Sequence, residues 1–173
     1  MDNIEIEAEV ISLPDEFGEK LMDKYFEDLG NENSHQSRVK LQYLVEVMDD
    51  LAGIPKRALP RKGDKEGLTF EVEFEVDGVN YTRKVRAVKA LGKAPIYELR
   101  VNIPFPEQGW RFRATFFPKY VGDQLYYCIV FPFEKFDDAE EDPTDGYMER
   151  TYIIYERLRE DFDSFKEHFE LEG

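Results

Sequence analysis

IYELRVNIPFPEQGWRFRATFF, residues 96–117, reads as two strands of a hairpin. In its first half Leu99, Val101 and Ile103 alternate with Glu98, Arg100 and Asn102. In its second half Trp110, Phe112, Ala114 and Phe116 alternate with Arg111, Arg113 and Thr115. Strict alternation is the mark of a strand with one apolar face, because successive side chains point to opposite sides of the pleat. With a loop between 103 and 110, the strands are antiparallel neighbours and Arg100, Arg111 and Arg113 share the polar face. Three guanidinium groups on so short a unit serve either solubility and packing or the binding of an anion.

The rest of the fold builds outward from this hairpin. Downstream, residues 124–132, which hold most of LYYCIVFPF, show little alternation and read as a strand buried on both faces. Upstream, LTFEVEFEVDGVNYTRKVRAVKAL turns at Asp77-Gly78, the pair favoured in two-residue hairpin loops. That turn sets Val76 opposite Val79, Phe74 opposite Tyr81 and Phe70 opposite Val85. On the other face Glu71 meets Lys84 and Glu73 meets Thr82, so some of the basic charge is paired across strands.

Near the start, IEIEAEVISLP alternates Ile4, Ile6, Ala8 and Val10 with glutamates and predicts a further strand, closed by Pro14. DEFGEKLMDKYFEDLG spaces Phe17, Leu21, Tyr25 and Leu29 for a helix that Gly30 would end. SHQSRVKLQYLVEVMDDLAG predicts a second helix, capped by Ser34 or Ser37, with Leu41, Leu44, Val45, Met48 and Leu51 on one face and Gly53 at its close. At the other end Tyr147, Thr151, Ile154, Leu158, Phe162, Phe165 and Phe169 predict one long helix packing a stripe on the sheet. The fold class is therefore α+β: two N-terminal amphipathic helices, a mostly antiparallel β-sheet of five or six strands, and a C-terminal helix packed on the sheet. Residues 1–173 read as a single domain, with a basic connector at 55–67 and an added β-hairpin at 68–90.

Hydrophobic residues make up 42% of the 173, with 14 Phe and 10 Tyr, enough for a substantial core. A single cysteine rules out an intramolecular disulfide and fits a reducing compartment. No secretion-type leader and no membrane-length apolar run is legible, so the expectation is a cytoplasmic protein without a membrane partner. The net charge of −15 is unevenly spread. Residues 1–53 hold 14 Asp/Glu against 4 Lys/Arg, residues 54–119 hold 8 against 14, and residues 120–173 hold 16 against 5.

No glycine-rich phosphate loop, paired-cysteine motif or zinc helix is present, and nothing calls for a cofactor or a metal. Asp138, Glu140, Asp142 and Glu149 match four positions of a calcium loop, but Pro143 stands where the sharp turn needs Gly. The two histidines, His35 and His168, read as surface residues without a catalytic neighbour. Chemistry therefore rests on the sheet arginines, which suit phosphate oxygens and the extra charge of a phosphodiester-cleavage transition state. Tyr97, Trp110, Tyr126 and Tyr127 are candidates for stacking on bases if exposed. Tyr126 and Tyr127 are also candidate proton carriers, with nothing to select either.

From residue 89 the order of motifs resembles the RelE/HigB-like toxin superfamily, especially its phage-derived branch. The matching residues are Lys89 and Leu91, YELR ending at Arg100, WRFRATFF with Arg111, and CIVFPFEKF with Phe133 and Lys135. Pro143 and the helix MERTYIIYERLRED follow, so the likeness covers about residues 89–160. It implies an mRNA endonuclease, ribosome-associated or free, acting by attack of a ribose 2′-hydroxyl on the adjacent phosphate. It places Arg100 and Arg111 as the catalytic pair on that phosphate, with Arg113 and Lys135 in support. Its partners would be RNA or a ribosome and an antitoxin-like protein. Glu134 departs from the family's paired lysines, and the N-terminal strand, the 68–90 hairpin and the acidic tail are additions. Two other functions fit the acidic composition: a non-enzymatic protein that binds a basic partner, and a nucleic-acid mimic. Both require the arginines to be paired or buried.

Overall fold

The computed structural model describes residues 7–104, 109–136 and 141–169. Among them the elements run β1 (Glu9–Ser12), α1 (Leu21–Glu32), α2 (His35–Ala52), β2 (Leu68–Val76) and β3 (Val79–Ala90). They continue with β4 (Tyr97–Ile103), β5 (Trp110–Val121), β6 (Gln124–Glu134), α3 (Thr144–Glu160) and a 3₁₀ run over Phe162–Phe169. The strands form one curled six-stranded sheet in the order β1-β6-β5-β4-β3-β2. β2 to β6 form an antiparallel meander, and β1 joins β6 in parallel, as a strand separated from its partner by the whole chain between them can. The fold is α+β, with the C-terminal helix following the strands.

Two cores lie on the two faces of the sheet. On one, Leu99, Val101, Phe112, Phe116, Tyr127 and Ile129 pack beneath α1 and α2, which contribute Met22, Leu29, Val39, Tyr43 and Leu44. On the other, Phe117, Tyr126, Cys128, Val130 and Phe131 meet Ile154 and Leu158 of α3 and Phe169 of the 3₁₀ run. Burial on both faces is what removed the alternation from 124–132, as expected. The hairpin register agrees with the sequence reading pair by pair, including Glu71 opposite Lys84 and Phe74 opposite Tyr81. Asp77 and Gly78 both have positive φ, as that turn requires.

Several expectations shift. α1 begins at Leu21, after a turn in which Asp15 accepts from the Phe17 and Glu19 amides, so Phe17 lies outside the helix and is exposed. The helix runs through Gly30 and stops at left-handed Asn33. In α2 Ser34 and Ser37 cap reciprocally, and the buried stripe is Val39, Tyr43, Leu44, Val47 and Leu51. Val45 therefore points outward, because Tyr43 supplies the larger apolar surface one step round the helix. The closing helix is not continuous. It ends at Glu160, and Phe169 reaches the core from the 3₁₀ run. β1 covers only the end of the predicted strand, and Ile4 and Ile6 lie outside the described residues.

The histidines are also tied in. His35 Nδ1 lies 2.7 Å from Asp77 and its Nε2 2.7 Å from the Tyr81 hydroxyl, while Arg38 donates to the same Asp77 carboxylate. The start of α2 is thereby bound to the tip of the β2–β3 hairpin. His168 is half-buried, and that burial, aided by Lys20, holds its pKa below the usual value.

Two glycines separate a turn requirement from a packing requirement. A Cβ at Gly67, whose φ is +65°, would lie 2.1 Å from the Val88 carbonyl oxygen, while one at Gly78 would meet nothing within 4 Å. Gly67→Ala should therefore destabilise the protein by about 2 kcal/mol or more, and Gly78→Ala by about 1 kcal/mol, in urea melts.

Candidate functional site

β4 and β5 pair so that Arg100 lies opposite Arg113 and Asn102 opposite Arg111. The apolar row of both strands is committed to the α1/α2 core, which leaves the polar row on the side of α3. α3 covers that row only in part. Its Thr151 hydroxyl lies 2.6 Å from that of Thr115, both buried, and Tyr147 stacks on Phe133. Past the N-terminal end of α3 the sheet opens into a cleft of about 340 Å3 walled by Arg111, Arg113, Lys135, Phe136, Glu141 and Asp142. The predicted arginines do share one face, and Lys135 joins them, its amide bonded to the Arg111 carbonyl.

Their environments differ. Arg113 is 3% exposed, donates to Asn102 Oδ1 and to the Phe112 carbonyl, and holds its Nε 2.8 Å from Glu98 Oε1. That Nε makes no well-directed hydrogen bond, so its attraction to Glu98 is chiefly ionic. Burial, and then the charge of Arg100, pulls its pKa down to about 10. Glu98 is equally buried, and burial raises its carboxyl pKa against the opposing pull of Arg113. Arg100 lies 3.6 Å from the same Glu98 oxygen, and its buried Nε has no hydrogen bond. It stands across from Arg113 and is not one of the cleft walls. Arg111 is exposed on the cleft wall. Lys135 donates to Asp142, which also accepts from the Thr144 amide.

Two guanidinium groups thus share one carboxylate. On the cleft walls themselves Arg111, Arg113 and Lys135 stand with Glu141 and Asp142 among the described residues. A larger cavity of about 470 Å3 at the far end of the sheet brings Glu7 and Asp123 together with Arg57.

The stacking candidates fail their condition of exposure. Trp110, Tyr126 and Tyr127 are buried, and Tyr97 is half-buried against Phe116. Tyr126 donates to the Phe169 carbonyl and Tyr127 to that of Ile54, so neither can carry a proton in the cleft. Trp110 and Tyr25 both donate to Glu134 on the opposite face, and burial with that neighbouring charge pushes the Tyr25 phenol pKa well up. Glu134 is thus a structural acceptor for these two donors. The aromatic that does reach the cleft is Phe136, 61% exposed. Sequence reasoning missed it and Glu98: alternation marks Glu98 as solvent-facing, and only the buried guanidinium explains its position.

Of the calcium-loop positions, Asp138 and Glu140 lie outside the described residues. No described helix is long and apolar enough to cross a membrane. No protein-family model, curated protein or solved structure matches the chain.

Removing Arg113 strands a buried carboxylate. Arg113→Ala should cost about 3–5 kcal/mol in denaturant melts, whereas Glu98→Leu/Arg113→Met should recover most of that loss. Asp142 is held at about 2, chiefly by its hydrogen bonds to Thr144, below its unfolded value. The stability it contributes is present above the unfolded value and lost as pH falls towards 2. Asp142→Asn should therefore flatten the acid limb of stability between about pH 4 and 2 in melts across that range.

Proposed function

We propose that the cleft at the Arg111 end of β5 receives a phosphate of an RNA strand, and that the protein is a RelE/HigB-like endonuclease acting on messenger RNA in the cytoplasm. The observation that carries this reading is the sharing of Glu98 by Arg100 and Arg113, which leaves guanidinium charge in excess beside Arg111 and Lys135. Arg111 and Lys135, on the cleft wall, contact the phosphate oxygens. Arg113 is a positioning residue, fixed by Glu98 and Asn102, and Arg100 adds charge from across the strand pair.

In the reaction the ribose 2′-oxygen bonds to phosphorus and the bond from phosphorus to the 5′-oxygen breaks. The 2′-hydroxyl gives up its proton and the leaving oxygen takes one, yielding a 2′,3′-cyclic phosphate and a 5′-hydroxyl end. The cations stabilise the added negative charge of the five-coordinate state. Phe136 offers an aromatic face to a neighbouring base. The overall charge repels RNA at a distance, but screening over about 8 Å at physiological salt leaves the local cations effective at contact.

A second reading has its own support. The burial of Arg113 against Glu98 and the bond from Lys135 to Asp142 are what a non-enzymatic interaction protein on the same scaffold requires.

Induction in a bacterium decides between them. Wild type should arrest growth and create transcript ends bearing 5′-hydroxyls. Arg111→Ala/Lys135→Ala should lower cleavage by about 10²–10³-fold with an unchanged circular dichroism spectrum. Normal growth and intact transcripts with wild type would exclude the nuclease and favour the interaction protein.

A further inference from the structure

The added hairpin ends the sheet in an open strand. β2 pairs with β3 on one edge, and among the described residues no strand pairs with the other. From Thr69 to Val76 its pairing is regular, without bulge or proline. A long, regular edge rich in Val and Phe is a template for another strand, and proteins commonly guard such edges with charge. Here the guard is of one sign: Glu71, Glu73 and Glu75 form an exposed row on the face away from α2.

Among the described residues β3 sets a cation directly opposite this row only at Glu71. Glu71 lies opposite Lys84, 3.8 Å away, while Glu73 and Glu75 face the uncharged Thr82 and Asn80. On the other face Phe70 and Val72 are buried, but Phe74 and Val76, towards the hairpin tip, remain half-exposed. A concavity of about 430 Å3 follows the charged row, walled by Glu71, Val72, Glu73, Thr82, Arg83 and Lys84.

These features select the occupant. A second copy of the chain, paired antiparallel through β2, would set glutamates against glutamates, and like charges directly opposite destabilise a sheet. We infer that β2 is the docking edge for an extended segment of a partner protein in which Lys or Arg alternates with apolar residues. The basic row meets Glu71, Glu73 and Glu75, the apolar row covers Phe74 and Val76, and the backbone extends the ladder. The site is separate from the cleft and does not depend on the proposed nuclease activity.

The test titrates the full chain with a labelled nine-residue peptide alternating Lys and Val. Two control peptides accompany it: one alternating Glu and Val, and a fully N-methylated Lys/Val version that keeps its charge but has no ladder donors. Lys/Val should bind at least tenfold more tightly than either control and slow hydrogen exchange at the β2 amides that face away from β3. Glu71→Lys/Glu73→Lys/Glu75→Lys, which changes exposed residues alone, should reverse the preference in favour of Glu/Val. Equal binding of the N-methylated peptide would overturn the proposal, since charge alone would then suffice. So would an absence of binding or β2 protection, or a dimer of the chain alone with β2 already protected.

Discussion

The structure depends on burying β5 and β6 on both faces. Phe112, Phe116, Tyr127 and Ile129 point one way, and Phe117, Cys128, Val130 and Phe131 the other. No single layer of helices can cover two faces, so the chain must supply a layer from each end. The α1/α2 pair covers one side, and α3 with its 3₁₀ extension covers the other. β1 follows from the same demand, since it pairs with the β6 edge and buries Leu13 just beyond its end. The α3 layer is the smaller of the two, and where it stops the polar row of β4 and β5 is left open.

At that boundary the sheet holds Glu98 and Arg113 together out of water. Burial disfavours both charged forms, lowering the pKa of the guanidinium and raising that of the carboxylate. Such a pair roughly breaks even against apolar residues of similar volume, so stability is a poor reason for its presence. What it does is geometric. It fixes the Arg113 guanidinium on the cleft wall, through Glu98, Asn102 and the Phe112 carbonyl, without using a flexible surface side chain. Arg100 then lies near a carboxylate already engaged.

Local patterns were legible where one face is wet and the other dry. The 68–90 hairpin could be read to the residue pair because alternation and Asp77-Gly78 specify the same register. The face shared by Arg100, Arg111 and Arg113 was legible for the same reason. Alternation does not reveal which polar residues a later helix will cover, so Glu98 read as solvent-facing. The aromatics expected to stack on bases were lost through the same gap: Trp110 and Tyr127 have polar tips, but those tips reach Glu134 and Ile54 from inside the core. The parallel joining of β1 to β6 pairs Val10 with Tyr127 across the length of the chain, a contact that no short sequence pattern encodes.

The uneven charge of the sequence becomes a division between layers. The acidic ends of the chain form most of the helices, and the basic middle supplies the connector and most of the sheet. At low ionic strength, where screening is weak, an approaching molecule meets the net charge of −15, which slows polyanions and hastens cations. As salt shortens the screening length, the arrangement at each site governs. On the proposed reading the Arg111 cleft is then a short-range site for a phosphate that arrives against the field. The glutamate row of β2 is a site towards which the field itself steers a basic strand. One distribution of charge therefore predicts different arrival kinetics for the two proposed ligands, with salt speeding the approach of the first and slowing that of the second.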